Sequence, residues 1–339
     1  MKRIELESTA HTLVAKGKGL LAADESFPTI EKRFLALNIE NTDENRRTYR
    51  DLLFTSPGIE EFISGVILFD ETIRQKSKNG LTFVDVLKRK GIIPGIKVDK
   101  GTIGMPGFPD EKVTVGLDGL SERLKEYRDM GARFAKWRAV ITIGSGIPTR
   151  GCISANSHAL ALYAALTQQS GLVPIVEPEV LMDGDHDIER CEEATLGSLE
   201  MVFNALREYR VSLEGMLLKP NMVLAGKKSS KQANITQVAE ATIRCLKQTV
   251  PSAVPGIVFL SGGQSAELAT EHLNAMNTMG SHPWEMSFSF ARALQDPALK
   301  AWKGIESNIE VAQRKFLHRA KCNSAARYGR YSEKMELAA

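Results

Sequence analysis

Short apolar runs rich in β-branched residues recur along the chain at residues 19–24, 62–69, 92–98, 132–140, 172–180, 215–222, 256–261 and 286–291. Longer amphipathic stretches with a helical period lie between them, among them 117–130, 154–170, 191–209 and 237–249. Strand–helix alternation predicts a parallel sheet with right-handed crossovers. Eight such units in 339 residues predict an α/β fold, a single-domain (β/α)8 TIM barrel. An open, doubly wound sheet is the alternative. The usual length scaling suggests two domains, but α/β barrels routinely exceed it as one. No low-complexity segment or Pro-, Gly- or Ser-rich linker divides the chain. Residues 1–339 are therefore read as one barrel domain with a C-terminal tail from about residue 322.

Charged residues interrupt the apolar runs near their C-terminal ends, where barrels of this type carry their chemistry. Asp24 ends the first run, Lys97 the third, Lys136 and Arg138 lie in the fourth, Glu177 and Glu179 in the fifth, and Lys219 in the sixth. The period of two along a strand puts Lys136 with Arg138, and Glu177 with Glu179, on shared faces. These charges either converge on one rim as a reactive site or form a structural ion-pair network. Lys219, in Leu217-Leu218-Lys219-Pro220-Asn221-Met222, is the most informative of them. Desolvating an isolated ammonium is costly and favours the neutral amine, a nucleophile that attacks carbonyl groups to form Schiff bases. The competing reading is a snorkelling or ion-paired lysine at a strand end.

Ser261-Gly262-Gly263-Gln264-Ser265 follows the seventh run and leads into helical sequence. Its glycines admit close approach of a ligand, and a helix start offers free N–H groups to an anion. Ser289 and Arg292 belong to the eighth run and its end. Loops after barrel strands seven and eight recurrently bind phosphate, so these two segments predict a phosphate site; a plain turn with a surface arginine is the alternative. Asp183-Gly184-Asp185-His186-Asp187 resembles the start of a calcium loop but has Ile188 and Ala194 where such loops need Gly and Glu. Gly17-Lys18-Gly19 precedes a strand and does not open a helix, so it is no dinucleotide fingerprint. The six histidines show no metal-ligand spacing, which predicts a metal-free mechanism.

Net charge is only +3, which gives no reason to expect a nucleic-acid or membrane partner. The basic run Lys227-Lys228-Ser229-Ser230-Lys231 reads as a solvated loop. Cys152, Cys191, Cys245 and Cys322 are scattered and read as reduced thiols. The first residues lack the apolar core of a secretory signal, and the chain does not end in a peroxisomal tripeptide, so a cytoplasmic location is expected.

Together the segments resemble class I (Schiff-base) fructose-bisphosphate aldolases. The matching stretches include Leu21-Ala22-Ala23-Asp24-Glu25-Ser26, Gly95-Ile96-Lys97-Val98-Asp99-Lys100-Gly101, Phe134-Ala135-Lys136-Trp137-Arg138, Pro174-Ile175-Val176-Glu177-Pro178-Glu179, the Lys219 hexapeptide and Phe259-Leu260-Ser261-Gly262-Gly263-Gln264-Ser265. They span about residue 10 to residue 325. The resemblance implies a cytosolic enzyme of glycolysis and gluconeogenesis, usually a homotetramer, that cleaves fructose 1,6-bisphosphate to dihydroxyacetone phosphate and glyceraldehyde 3-phosphate. It implies no cofactor beyond a covalent imine on Lys219, and no metal. By the same resemblance Glu177 is the acid/base, Glu179 supports the lysine, Lys136 assists as a neighbouring cation, and Asp24 orients or deprotonates the C4 hydroxyl. Ser261, Gly262, Gly263, Ser289 and Arg292 resemble the C1-phosphate site. Ser26, Thr29, Lys97 and Arg138 lie where the C6-phosphate end is held, and Arg33 matches a further substrate-binding arginine.

Three departures bear on these expectations. Phe27-Pro28-Thr29 stands where the family commonly has Thr-Gly-Ser or Thr-Gly-Thr, which predicts a stiffened loop lacking one backbone donor. Ala291 replaces a common glycine and is expected to crowd a backbone contact. The chain ends in Ala339 where animal members have a mobile tyrosine, leaving Tyr328 or Tyr331, or else another acid or water, as candidate substitutes. The altered 27–29 segment motivates an alternative substrate, sedoheptulose 1,7-bisphosphate or fructose 1-phosphate. A non-catalytic scaffold is a further alternative, against which the complete set of Lys219, Glu177, Lys136 and Asp24 argues.

Overall fold

The computed structural model describes residues 2–338. Ten strands are present: β1 (Gly19–Ala23), β2 (Ile63–Leu68), β3 (Ile93–Lys97), β4 (Thr102–Gly104), β5 (Lys112–Thr114), β6 (Phe134–Ile141), β7 (Val173–Val180), β8 (Leu217–Leu218), β9 (Gly256–Phe259) and β10 (Glu285–Phe290). Strands β4 and β5 form a separate antiparallel hairpin. The other eight run parallel in sequence order and close into a barrel, with Leu20 of β1 opposite Ser289 of β10. Helices alternate with the strands. The predicted (β/α)8 architecture is therefore the observed one.

Strand periodicity explains the layering. Leu20, Ala22, Ile67, Phe134, Val173, Ile175, Leu217 and Val258 form one buried cluster inside the barrel, and Leu6, Ala10, Leu13 and Val14 from and just after the helix Lys2–Leu13 join it. Their neighbours one position along, such as Leu21, Ala23, Val176 and Leu218, pack in a second cluster with the helices. Gly95 leaves the space that the Phe134 ring fills; a methyl group there would collide with it. Burial of each large apolar side chain contributes roughly 1.5–3 kcal/mol, so the lower barrel is a firm base. Two residues beyond the inner apolar positions, on the same face, come Asp24, Lys136, Glu177 and Lys219.

The sixth barrel strand is shorter than the predicted 215–222. Leu213–Gly215 forms a single 3-10 turn, and Pro220 has no N–H with which to continue the ladder. The Lys219 amide still donates to Val176 O at 2.8 Å, so its backbone stays locked to β7. Residues 27–29 are not a loop. They open the helix Phe27–Leu35, with Ser26 at its N-cap and Pro28 in the first turn, where a missing N–H has no helical partner to lose. Residue 322, read as the start of a tail, is fully buried inside the helix Ile309–Arg327. No described helix is long and apolar enough to cross a membrane.

Candidate active site

A cleft of about 1180 Å³ opens at the C-terminal ends of the barrel strands. All the predicted site residues line it except Gly263, which lines the adjoining groove. Glu177 lies between two lysines: its Oε1 is 3.0 Å from Lys219 Nζ and its Oε2 is 3.0 Å from Lys136 Nζ. Lys136 Nζ is also 2.9 Å from Asp24 Oδ2 and 3.9 Å from Asp99 Oδ2. The side chains of both lysines and Glu177 are at most 5% exposed.

Such groups tolerate removal from water because they neutralise one another. Burial alone would raise the Asp24 carboxyl, but the ammonium groups of Lys136, Lys219 and Lys97 outweigh it and hold it at about 2. Burial likewise raises Glu177, and Lys136, Lys219 and Arg138 draw it below the usual carboxylate range. Burial works against the charge of Lys136, yet Asp24, Glu177 and Asp99 keep its ammonium protonated well above the usual lysine range.

Glu179, expected to support the lysine, makes no ion pair with Lys219. Glu179 pairs with Arg138, two residues along β6 from Lys136, so any support reaches Lys219 at one remove. Asp99, which sequence reasoning missed as a site residue, organises the neighbouring cations. Lys97 Nζ is 2.6 Å from Asp99 Oδ1, and the Arg138 amide donates to Asp99 Oδ2 at 3.3 Å. Its sequence signal was its position two residues beyond Lys97, on the same face of the chain.

Ser26 Oγ and Thr29 Oγ1 lie 3.1 Å apart at the first turn of the helix Phe27–Leu35. Arg33 is held from below by a buried network also missed from sequence. It pairs with Glu25 and, at 2.7 Å, with Asp296. Arg50 meets the other Glu25 oxygen at 2.5 Å, and the Gln295 amide donates to Glu25 at 2.9 Å.

At the other end of the cleft, Gly262 and Gly263 adopt left-handed backbone conformations with φ of 57° and 88°, which side chains disfavour. Their amides have no hydrogen-bond partner among the described residues. Gln264 fixes this turn by donating to Ser261 O at 3.0 Å, and His272 Nδ1 donates to Gln264 Oε1 at 2.6 Å. Burial pushes His272 down to about 4, which keeps its ring neutral. Ser289 Oγ is buried with no partner, and Arg292 is exposed with no carboxylate partner among the described residues. Ala291, with φ of −100° and ψ of −88°, packs on the inner apolar cluster and lines the cleft next to Arg292. Lys227, read as part of a solvated loop, reaches this turn: its Nζ is 3.0 Å from where a Cβ on Gly263 would sit.

Tyr328 and Tyr331 do not approach the cleft. Tyr328 stands against Gly17 and Lys16, ahead of β1 at the opposite end of the barrel, and Tyr331 bonds Glu336 at 2.7 Å. Neither can substitute for a mobile tyrosine at Lys219, and Ala339 lies outside the described residues. His318, Cys322 and Glu336 form the one metal-compatible group among the described residues, and none of them lines the cleft.

Residues 5–339 match the family model described as fructose-bisphosphate aldolase class-I. The chain is 57% identical over 328 residues to a probable fructose-bisphosphate aldolase class 1 of Xanthomonas axonopodis pv. citri, covering 96% of this chain and 98% of that one. It is 52% identical over 338 residues to the cytosolic fructose-bisphosphate aldolase 4 of Arabidopsis thaliana, covering 99% and 86%. A structure of Plasmodium falciparum fructose-bisphosphate aldolase, in complex with TRAP and a small-molecule inhibitor, is similar with a TM-score of 0.96 at 52% identity, covering 98% of this chain and 96% of that one. This chain belongs to the class I fructose-bisphosphate aldolase family.

Proposed function

We propose that this chain reversibly cleaves fructose 1,6-bisphosphate to dihydroxyacetone phosphate and glyceraldehyde 3-phosphate through an imine on Lys219, without a metal. The observation that carries this reading is the placing of Glu177 3.0 Å from each of two buried lysines. Lys136 is held as a cation by Asp24 and Glu177, which leaves Lys219 as the nucleophile. Lys219 first gives a proton to the Glu177 carboxylate 3.0 Å away, its neutral Nζ attacks the ketose C2 carbonyl, and Glu177 returns that proton to the carbinolamine hydroxyl, which leaves as water. The resulting iminium draws in the electron pair of the C3–C4 bond as the C4 hydroxyl gives its proton to the Glu177 carboxylate, regenerated by the dehydration, and the aldehyde departs. Asp24, ionised down to about pH 2, suits the orienting role at that hydroxyl better than the basic one, because so weak a base gains little from proton transfer. Protonation at C3 and hydrolysis of the imine release dihydroxyacetone phosphate and restore the amine.

Two anchored phosphates fix the linear ketose with C2 at the amine, which is catalysis by positioning. The Gly262–Gly263 turn, Ser261, Ser289 and Arg292 take the C1 phosphate in this reading, and Ser26, Thr29, Lys97 and Arg138 the C6 end, with Arg33 nearby. At that C6 end Lys97 and Arg138 are already paired with Asp99 and Glu179. This favours a second reading, in which fructose 1-phosphate, which has no phosphate at that end, also serves, with sedoheptulose 1,7-bisphosphate as a further candidate; relative kcat/KM values decide between them. A cytoplasmic homotetramer acting in glycolysis and gluconeogenesis completes the proposal, supported by family membership and the cytosolic relative; sedimentation analysis checks the assembly. Replacing Lys219 with Met is expected to reduce cleavage by at least about 10⁴-fold, while EDTA leaves the unaltered enzyme active. An active Lys219→Met variant, or full loss of activity to EDTA, would overturn the proposal.

A further inference from the structure

We propose that Lys227 is a second phosphate-binding cation at the Gly262–Gly263 turn, parked on Asp183 when no phosphate is bound. This rests on the C1-phosphate assignment above and adds a residue that the assignment does not contain. The loop after β8 reaches the turn because it is zipped to the loop after β7. Gly226 donates to His186 O, Lys227 to Met182 O and Lys228 to Gly184 O, each at 2.8 Å. Such close approach requires glycine, since a Cβ on Gly226 would lie 2.5 Å from Gly184 O. The acidic segment that fails as a calcium loop therefore serves a structural purpose, the delivery of Lys227 to the turn.

Lys227 Nζ and Arg292 Nη2 each lie 3.0 Å from the same point, the position of a Cβ on Gly263. Two cations thus flank a backbone turn with unpaired amides, and Ser289, whose buried hydroxyl has no partner, lines the same cleft as Gly262 and Arg292. The only carboxylate in contact with either cation among the described residues is Asp183, 3.2 Å from Lys227 Nζ, with a side chain 67% exposed. So exposed an ion pair is weak, and a phosphate dianion displaces it readily. Donors of this kind, convergent and short of negative charge, match a phosphate monoester.

Steady-state kinetics on a small set of variants test this. Lys227→Ala is expected to raise KM for fructose 1,6-bisphosphate about 10-fold, with kcat within about twofold. The same rise is expected with fructose 1-phosphate, which keeps only the C1 phosphate, and in the half-inhibiting concentration of inorganic phosphate. Lys227→Arg should restore most of the loss, and Asp183→Asn, which frees the lysine, should lower KM about twofold. Lys231→Ala, on the same loop, is the unchanged control. If Lys227→Ala leaves KM and phosphate inhibition unaltered while Arg292→Ala raises both, the proposal fails and the C1-phosphate assignment stands. If Arg292→Ala is also without effect, the assignment itself fails. A loss confined to kcat, not rescued by arginine, would mark Lys227 as structural and overturn its binding role.

Discussion

At the strand-borne part of the cleft, Lys97, Lys136, Arg138 and Lys219 each lie against a carboxylate, from Asp99, Asp24, Glu179 and Glu177. At the loop-borne part, Arg292 has no such partner among the described residues and Lys227 has only the exposed Asp183. The difference follows from solvent. Charges held in the upper barrel must be neutralised before they can be buried, so they arrive in balanced pairs. Cations on loops keep their hydration and cost little unpaired, so they remain available to an anion. Removing a charge should therefore damage both folding and chemistry in the barrel, but only binding at the loops.

The sharpest way to break this comparison is Glu177→Gln. It leaves Lys219 without a carboxylate and Lys136 with Asp24 and the more distant Asp99. The expected losses are about 10³-fold in kcat and about 3 kcal/mol of stability by urea denaturation. Arg292→Ala should instead raise KM about 50-fold, by loss of a charged bidentate partner. Its stability should stay within about 0.5 kcal/mol of the parent, as for most surface changes; a matching loss of stability would erase the distinction.

Acid sensitivity sharpens the same contrast. Asp24 is lowered from its ordinary 3.8 to about 2. A carboxyl depressed on folding contributes stability that is fully present above about pH 4 and is lost as the pH falls toward 2. The contribution is on the order of 2 kcal/mol. Urea midpoints measured from pH 5 to pH 2.5 should fall less steeply in Asp24→Asn than in the parent, and parallel curves would contradict it. The smallest effect is expected at Pro28. Because it sits in the first turn of a helix, Pro28→Gly should cost less than about 1 kcal/mol, with KM within about twofold. A large change in KM would restore the idea of a specialised phosphate loop there.

The barrel and the charged layer above it were legible in sequence because both follow one rule, the two-residue period of a strand. Leu217 faces inward, so Lys219 does, and Phe134 does the same for Lys136. Supporting residues were less legible. Glu25 and Gln295 meet Arg33, and Arg50 meets Glu25, only through tertiary folding, and Asp99 is marked by nothing but its distance from Lys97. The place of Lys227 was not legible at all, because a basic run describes its exposure, while Gly226 and the facing loop determine where it points. Tyr328 and Tyr331 fall far from Lys219 for a related reason: the helix Ile309–Arg327 carries the chain back to the N-terminal end of the barrel. Proximity along the chain to an expected tail says nothing of that.

The most direct test of the chemistry is borohydride reduction in the presence of dihydroxyacetone phosphate, followed by peptide mass spectrometry. The expected result is one stable adduct, on the peptide containing Leu217-Leu218-Lys219-Pro220, with none on the peptide of Lys136. An adduct on Lys136, or no adduct from an enzyme that remains active, would contradict the assignment of Lys219 as the imine-forming lysine.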